Sequence, residues 1–243
     1  MSKENNIQDL LHDVADAIRE KKGTNDLINP QDFSEEIRGI QSGGGSKFNA
    51  DIEFADESMF GQFGWRKVTI HEGVTTISDY CFYNNKVVEE VNFPNTLEEI
   101  GGYAFQSSTI RTAVIPDNVR TIGRYAFGSC INILNVTLPR HLETVGYGAF
   151  YGDYNIRGTL TFGENVKSID KQAFTNCSRI TCYDFRKCLT IPTLTSSDCF
   201  SISLSFSIVV PDNLYDEWIV ATNWSSFVAK IVKASEYVEP TQE

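Results

Sequence analysis

Three histidines, His12, His71 and His141, are the first candidates in this sequence for acid–base chemistry. They stand apart, in a helical stretch, at a strand end and in a turn. None has a serine or cysteine at a spacing that would pair a nucleophile with a base. Carboxylate chemistry fares no better. Asp16 and Glu20 share a helix face and Glu98 and Glu99 share a turn, but 32 acidic residues produce such neighbours by chance. A solvated face explains them without a glycosidase pair. Cys182 and Cys188 are free thiols or, by residue type, zinc ligands, yet neither a C-x-x-C pair nor a nearby histidine supports metal. No phosphate loop or dinucleotide fingerprint occurs. The sequence therefore reads as a non-enzyme, with no catalytic residue, metal or cofactor expected.

Binding chemistry is better represented. Thr69, Asn92, Val114, Thr137 and Thr161 recur at one interval, as do Tyr80, Tyr103 and Tyr125, with Tyr147 close by. A row of β-branched and amide side chains on a sheet can dock a protein or a sugar, and it can equally be ordinary strand propensity. Tyrosines on successive coils suit a glycan or protein contact; half-packed corner residues are the plainer alternative.

The interval itself comes from a repeat. A small residue followed by phenylalanine returns six times, at Phe82, Phe105, Phe127, Phe150, Phe174 and Phe200, with spacings of 23, 22, 23, 24 and 26 residues. Such a period matches one coil of a solenoid. Fourteen places before the first five phenylalanines sit Val68, Val91, Ala113, Val136 and Leu160, and twelve before sit Ile70, Phe93, Ile115, Leu138 and Phe162. Two apart, these slots share one face of a strand. Eight before come Val74, Leu97, Val119, Leu142 and Val166; five before come Ile77, Ile100, Ile122, Val145 and Ile169. All are expected inside. Pro94, Pro116 and Pro139 end the strand, and Gly101, Gly123 and Gly146 are expected to form a tight corner. A compact or short helical stretch then carries the Ala-Phe pair. Burying each phenylalanine contributes about 1.5–3 kcal/mol. No unit can do so alone, so the units must stack.

The motif V-x-[IF]-P-x-x-[VL]-x-x-I-G-x-x-A-F, clearest over residues 114–127, resembles the BspA-type leucine-rich repeat. The resemblance covers roughly residues 68–207. It implies a right-handed coil with one parallel sheet, an α+β solenoid in class, and leaves function open, since such repeats are recognition surfaces of many kinds.

Either side of the array the chain changes character. Ile7, Leu10, Leu11, Val14 and Ile18 form an apolar stripe at helical spacing, and Phe33 and Ile37 lie on a second short helix after Pro30. Residues 7–40 resemble an amino-terminal module of phage and prophage structural proteins, which implies attachment to other virion proteins. Helices this short cannot bury much surface alone, so a homo-oligomer is expected, with a trimer as the guess for a fibre. Ser42-Gly-Gly-Gly-Ser46 is a flexible joint. The expected layout is a helical attachment and oligomerisation module over 1–41, a linker over 42–46, a first cap over 47–67, six repeats over 68–207, a closing cap over 208–234 and a loose tail over 235–243. Asp212 is expected to cap a helix bearing Trp218. The two tryptophans Trp218 and Trp224 are expected to close the core, and the stretch around them also resembles the ending of phage-encoded proteins with this repeat.

Composition narrows the partners. A net charge of −11 opposes nucleic-acid binding, which needs a basic stripe. No run of 18 apolar residues is available to enter a membrane. The first residues lack the pattern of an export signal, so synthesis in a bacterial cytoplasm is expected. Cys130 and Cys177 share a slot two coils apart, roughly 10 Å at strand spacing, beyond the reach of a disulfide. These features lead to a bacteriophage virion protein, a head or tail fibre or a decoration protein, localised to the virion and presenting its solenoid to a host-surface glycan or protein. A tail receptor-binding protein and a bacterial surface adhesin are the alternatives.

Overall fold

The computed structural model describes residues 52–53, 67–70, 72–86, 88–201 and 205–239. The expected anchor residues Ile7, Leu10, Leu11, Val14, Ile18, Phe33 and Ile37 lie outside them, as do His12 and His71.

The strands, in chain order, are β1 (Ile52–Glu53), β2 (Lys67–Ile70), β3 (Thr76–Ile77), β4 (Glu90–Asn92), β5 (Glu99–Ile100), β6 (Thr112–Val114), β7 (Thr121–Ile122) and β8 (Asn135–Thr137). They continue with β9 (Thr144–Val145), β10 (Gly158–Thr161), β11 (Ser168–Ile169), β12 (Ile180–Asp184), β13 (Thr193–Leu194), β14 (Ser207–Val210) and β15 (Ile231–Lys233). Each of the six repeats contributes one longer strand and one two-residue strand, and every pairing between coils is parallel. The architecture is a parallel-strand solenoid of about seven turns.

Two ladders run along it, where the family resemblance implies one sheet. The short strands form a continuous six-membered sheet from β3 to β13, whereas the longer strands pair in three separate groups. β1 pairs antiparallel to β2, Ile52 opposite Ile70, which covers the first edge from within the expected cap. At the other end the ladder continues beyond the sixth repeat through β14 to β15. The expected strand at Ile208–Val210 is present; the one at Ile231 was hidden because its three residues carry no repeat register.

The Ala-Phe stretch is not helical. It is a chain of tight turns: within one coil Ala126, Gly128 and Cys130 donate to the carbonyls of Gly123, Tyr125 and Phe127, three residues back. The alternate amides of Tyr125, Phe127 and Ser129 donate to Tyr147, Ala149 and Tyr151 of the next coil. Every amide of this stretch is thereby satisfied without a helix. Among the described residues helices are confined to α1 (Tyr215–Trp218) and two 3₁₀ stretches, Asp212–Leu214 and Trp224–Lys230.

The apolar slots face inward as the spacing predicts. The six phenylalanines queue along one axis with parallel rings, their centroids 4.8, 5.2, 5.3, 5.3 and 5.7 Å apart in order. Phe93 and Val136 pack on the core while remaining partly exposed. Gly101, Gly123 and Gly146 are required for a different reason than a corner. A Cβ on Gly123 would lie 2.7 Å from the backbone carbon of Gly101, so glycine lets one coil settle on the next.

Trp218 and Trp224 close the last coil, 5.6 and 5.4 Å from the ring of Phe185, and Trp224 donates to the Pro192 carbonyl at 2.7 Å. Asp212 does not cap the helix; its carboxylate accepts the Ser235 amide at 3.0 Å. That bond turns residues 235–239 back onto the array, where Arg186 lies 6.0 Å from the Tyr237 ring and 3.5 Å from Glu239. This part of the expected loose tail is thus engaged with the coils.

Candidate binding surface

The threonine slots form a file on the outer face of the longer strands. Thr69 stands opposite Asn92 and Val114 opposite Thr137, with Thr161 further along. The file is broken, since β4 and β6, and β8 and β10, are not paired in one sheet. Its first two members also bind each other, Asn92 Nδ2 donating to Thr69 Oγ1 at 3.1 Å. Lys67 and Glu90 are ion-paired alongside at 2.7 Å. Val114, 67% exposed, offers an apolar spot at the break.

The tyrosines form a tighter assembly. Tyr80, Tyr103 and Tyr125 occupy the slot two before the core phenylalanine, where the turn needs a left-handed backbone, with φ of 62°, 58° and 50°. The fourth and fifth coils put Gly148 and Gln172 there, also at positive φ. A bulky residue in this region is disfavoured, and such strain persists only where the surroundings impose it. The turn imposes it here, and the ring contacts offset part of the cost. Tyr80 and Tyr103 stack at 4.8 Å and 4°, and Tyr103 and Tyr125 at 5.6 Å and 24°. Tyr125 then meets Tyr147 edge-on at 5.2 Å and Tyr151 at 6.0 Å, while Tyr83 stands edge-on to Tyr80 at 5.7 Å.

Arg124 completes the assembly. Its guanidinium carbon lies 5.8, 5.7 and 4.9 Å from the ring centres of Tyr103, Tyr125 and Tyr147, within cation–π range of all three. The Tyr147 hydroxyl donates to Gln172 Oε1 at 2.9 Å. Desolvation, followed by the neighbouring Tyr147 hydroxyl, pushes the Tyr125 phenol up to about 12, so it stays a neutral donor at physiological pH. Sequence reasoning missed Tyr83, Tyr151 and Arg124. Tyr83 and Tyr151 share the slot after the phenylalanine, a signal that could have found them. Arg124 shares its slot with Asp79, Gly102, Tyr147 and Lys171, a mixture that gives none.

The remaining chemistry candidates stay apart. His141 is exposed in a turn, and Glu98 and Glu99, expected to share a turn, instead lead into and open the short strand β5, both exposed. All six cysteines are free, and burial pushes the Cys188 thiol up to about 12. Among the described residues no group of three His, Cys, Asp or Glu side chains could hold a metal, and no helix is long and apolar enough to cross a membrane.

A family profile described as the BspA type leucine rich repeat region matches residues 53–181 in six copies. The chain belongs to this family. As a BspA-type repeat protein it is similar in architecture to the pneumococcal vaccine antigen PcpA, with 16% identity and a TM-score of 0.54 over 70% of this chain and 40% of that one. A leucine-rich repeat protein of T. pallidum is similar at 17% identity and a TM-score of 0.45, over 72% and 94% of the two chains. One from Bacteroides ovatus follows at 16% and 0.41, over 69% and 54%. No curated protein matches the sequence as a relative. At these identities the pneumococcal likeness speaks for the fold of this BspA-type chain alone, and the matching family is one of repeats, with no catalytic family indicated.

Proposed function

We propose that this protein is a non-catalytic recognition scaffold whose tyrosine-lined side contacts a partner on a cell surface. The observation that carries the reading is the left-handed backbone at Tyr80, Tyr103 and Tyr125. Asparagine, aspartate and glycine are the residues that adopt this conformation at least cost. Here three large rings take it on successive coils and add nothing to the phenylalanine core. Aromatic groups with hydroxyls, held rigid and partly exposed, are what contact surfaces favour.

Asparagine substitution provides a clean test. A chain carrying Tyr80→Asn, Tyr103→Asn and Tyr125→Asn keeps the backbone preference and loses the rings. Purified wild-type protein is expected to adsorb to host bacterial cells, and the triple variant to lose at least roughly tenfold in affinity with its thermal midpoint preserved. Equal adsorption by both would reject the reading.

The narrower reading is a virion component, a fibre or decoration protein fixed by residues 1–41 as a homo-oligomer, with the solenoid outward. The amphipathic spacing ahead of Ser42-Gly-Gly-Gly-Ser46 and the phage-like resemblance of residues 7–40 support it. Mass spectrometry of purified particles decides this, and absence of the protein from them rejects it. If the protein is a tail receptor binder, deleting residues 47–243 abolishes adsorption of the particle; if it decorates the capsid, adsorption survives. Secretion without lysis would instead favour a bacterial surface adhesin.

A further inference from the structure

Arg124 is unlike most other arginines described here. Arg111 pairs with Glu89, Arg120 with Glu143, Arg140 with Asp117 and Arg186 with Asp184. Arg124 forms no such pair among the described residues and rests on three tyrosine rings instead. Among the described residues Arg157 and Arg179 also have no carboxylate partner, but neither lies over an aromatic ring there. In a chain of net charge −11, a carboxylate would have been easy to supply.

A guanidinium resting on aromatic faces leaves the N–H groups, which point outward in its own plane, free to bind a planar oxyanion through two parallel hydrogen bonds. The rings fix its position and so reduce the ordering cost of binding. The slots after the phenylalanine on this side carry Gln106, Ser107, Ser129 and Asn176 with Tyr83 and Tyr151, and two charges lie among them, Lys86 Nζ on the Ser107 carbonyl and Asp79 Oδ1 on the Gly102 amide. Hydrogen-bonding groups beside a guanidinium held on rings, with the Lys86 ammonium on the same side, match a hydroxyl-rich ligand with a carboxylate. The coil repeat also suits a polymer that offers similar groups at regular intervals.

We propose that Arg124, caged by Tyr103, Tyr125 and Tyr147, is the receptor for a sugar carboxylate, so that the ligand of this side is an acidic glycan of uronic or sialic type. This rests on the recognition reading above and names its ligand class.

The full chain is tested on surfaces bearing polygalacturonate, neutral dextran or poly-glutamate. Wild-type protein is expected to bind polygalacturonate at least roughly tenfold more tightly than dextran. Arg124→Gln brings it to the dextran level, Arg124→Lys restores part of the difference, and Arg157→Gln leaves it unchanged. Binding of neither sugar, equal binding of both, or preference for poly-glutamate overturns the proposal. A cell-adsorption arm separates the two readings. Loss with Tyr103→Asn but not with Arg124→Gln leaves the recognition side standing and removes the carboxylate; no change with either removes both.

Discussion

Gly148 leaves the space that the ring of Tyr125 occupies: a Cβ at Gly148 would lie 2.5 Å from Tyr125 Cε1 and 2.9 Å from Cζ. The fourth coil thus interrupts the tyrosine slot with a residue that lets the last stacked ring lie down. Gly148 also has φ of +60°, so its replacement meets a conformational cost as well as a steric one.

Gly148→Ala is therefore expected to destabilise the protein by about 1–3 kcal/mol and to displace Tyr125 from Tyr147. Thermal unfolding together with tyrosine fluorescence checks both effects. An unchanged midpoint and spectrum would show that the ring does not depend on the gap.

Asp153 gives a pH dependence. It is completely buried between Cys130 and Cys177 of the adjoining coils, and neither carboxylate oxygen has a hydrogen-bond partner among the described residues. Burial raises it well above the ordinary carboxyl value of 3.8. The folded state therefore holds its proton more tightly than the unfolded one. The contribution is fully present below pH 3.8 and is lost as pH rises from there toward the folded value, with a limiting slope of about 1.4 kcal/mol per pH unit. Asp153→Asn places at this slot the residue found at Asn85 in the first coil. Its advantage over wild type in urea unfolding is expected to grow between pH 5 and 8, on the order of 1 kcal/mol or more. A constant difference across that range would contradict the assignment.

The central phenylalanines should behave as one packed column. Phe127 is fully buried with parallel rings on both sides, at 5.2 and 5.3 Å. Phe127→Ala is expected to cost about 3–5 kcal/mol. Phe127→Leu, which retains most of the volume, should cost clearly less. Equal losses from the two variants in denaturant titration would argue against a tightly packed stack.

Thiol reactivity offers an independent check. Cys130, Cys177, Cys182, Cys188 and Cys199 are buried, and burial raises each thiol, Cys199 to about 11. Cys81 is partly exposed by area yet also raised to about 12 by desolvation. Little thiolate exists at neutral pH, so a thiol reagent should label the native protein slowly and all six cysteines after unfolding. Rapid labelling of Cys130 or Cys177 in the native state would show that the coils open there.

The regular slots were readable because each coil repeats the same burial problem. Val119, Ile122 and Phe127 declare themselves by recurring, and their positions inside need no knowledge of the neighbouring coil. Gly123 was legible as a special position but not for its reason, which is the approach of another coil's backbone. Of the compact or short helical stretch expected around Ala126-Phe127, the compact form is the one present, because the alternate amides find partners on the next coil and a local reading cannot see acceptors supplied from 22 residues away.

The sequence by itself determined the solenoid, its period, its inward residues and the closing role of Trp218 and Trp224. Periodic burial leaves a periodic trace in the chain, and these features follow from it. Tertiary structure alone decided that there are two ladders, that residues 235–239 fold back through Ser235 and Asp212, and that Arg124 lies across rings from three coils. Those relationships depend on how far one coil is displaced over the next, and a spacing rule records which residues recur but not where their side chains meet.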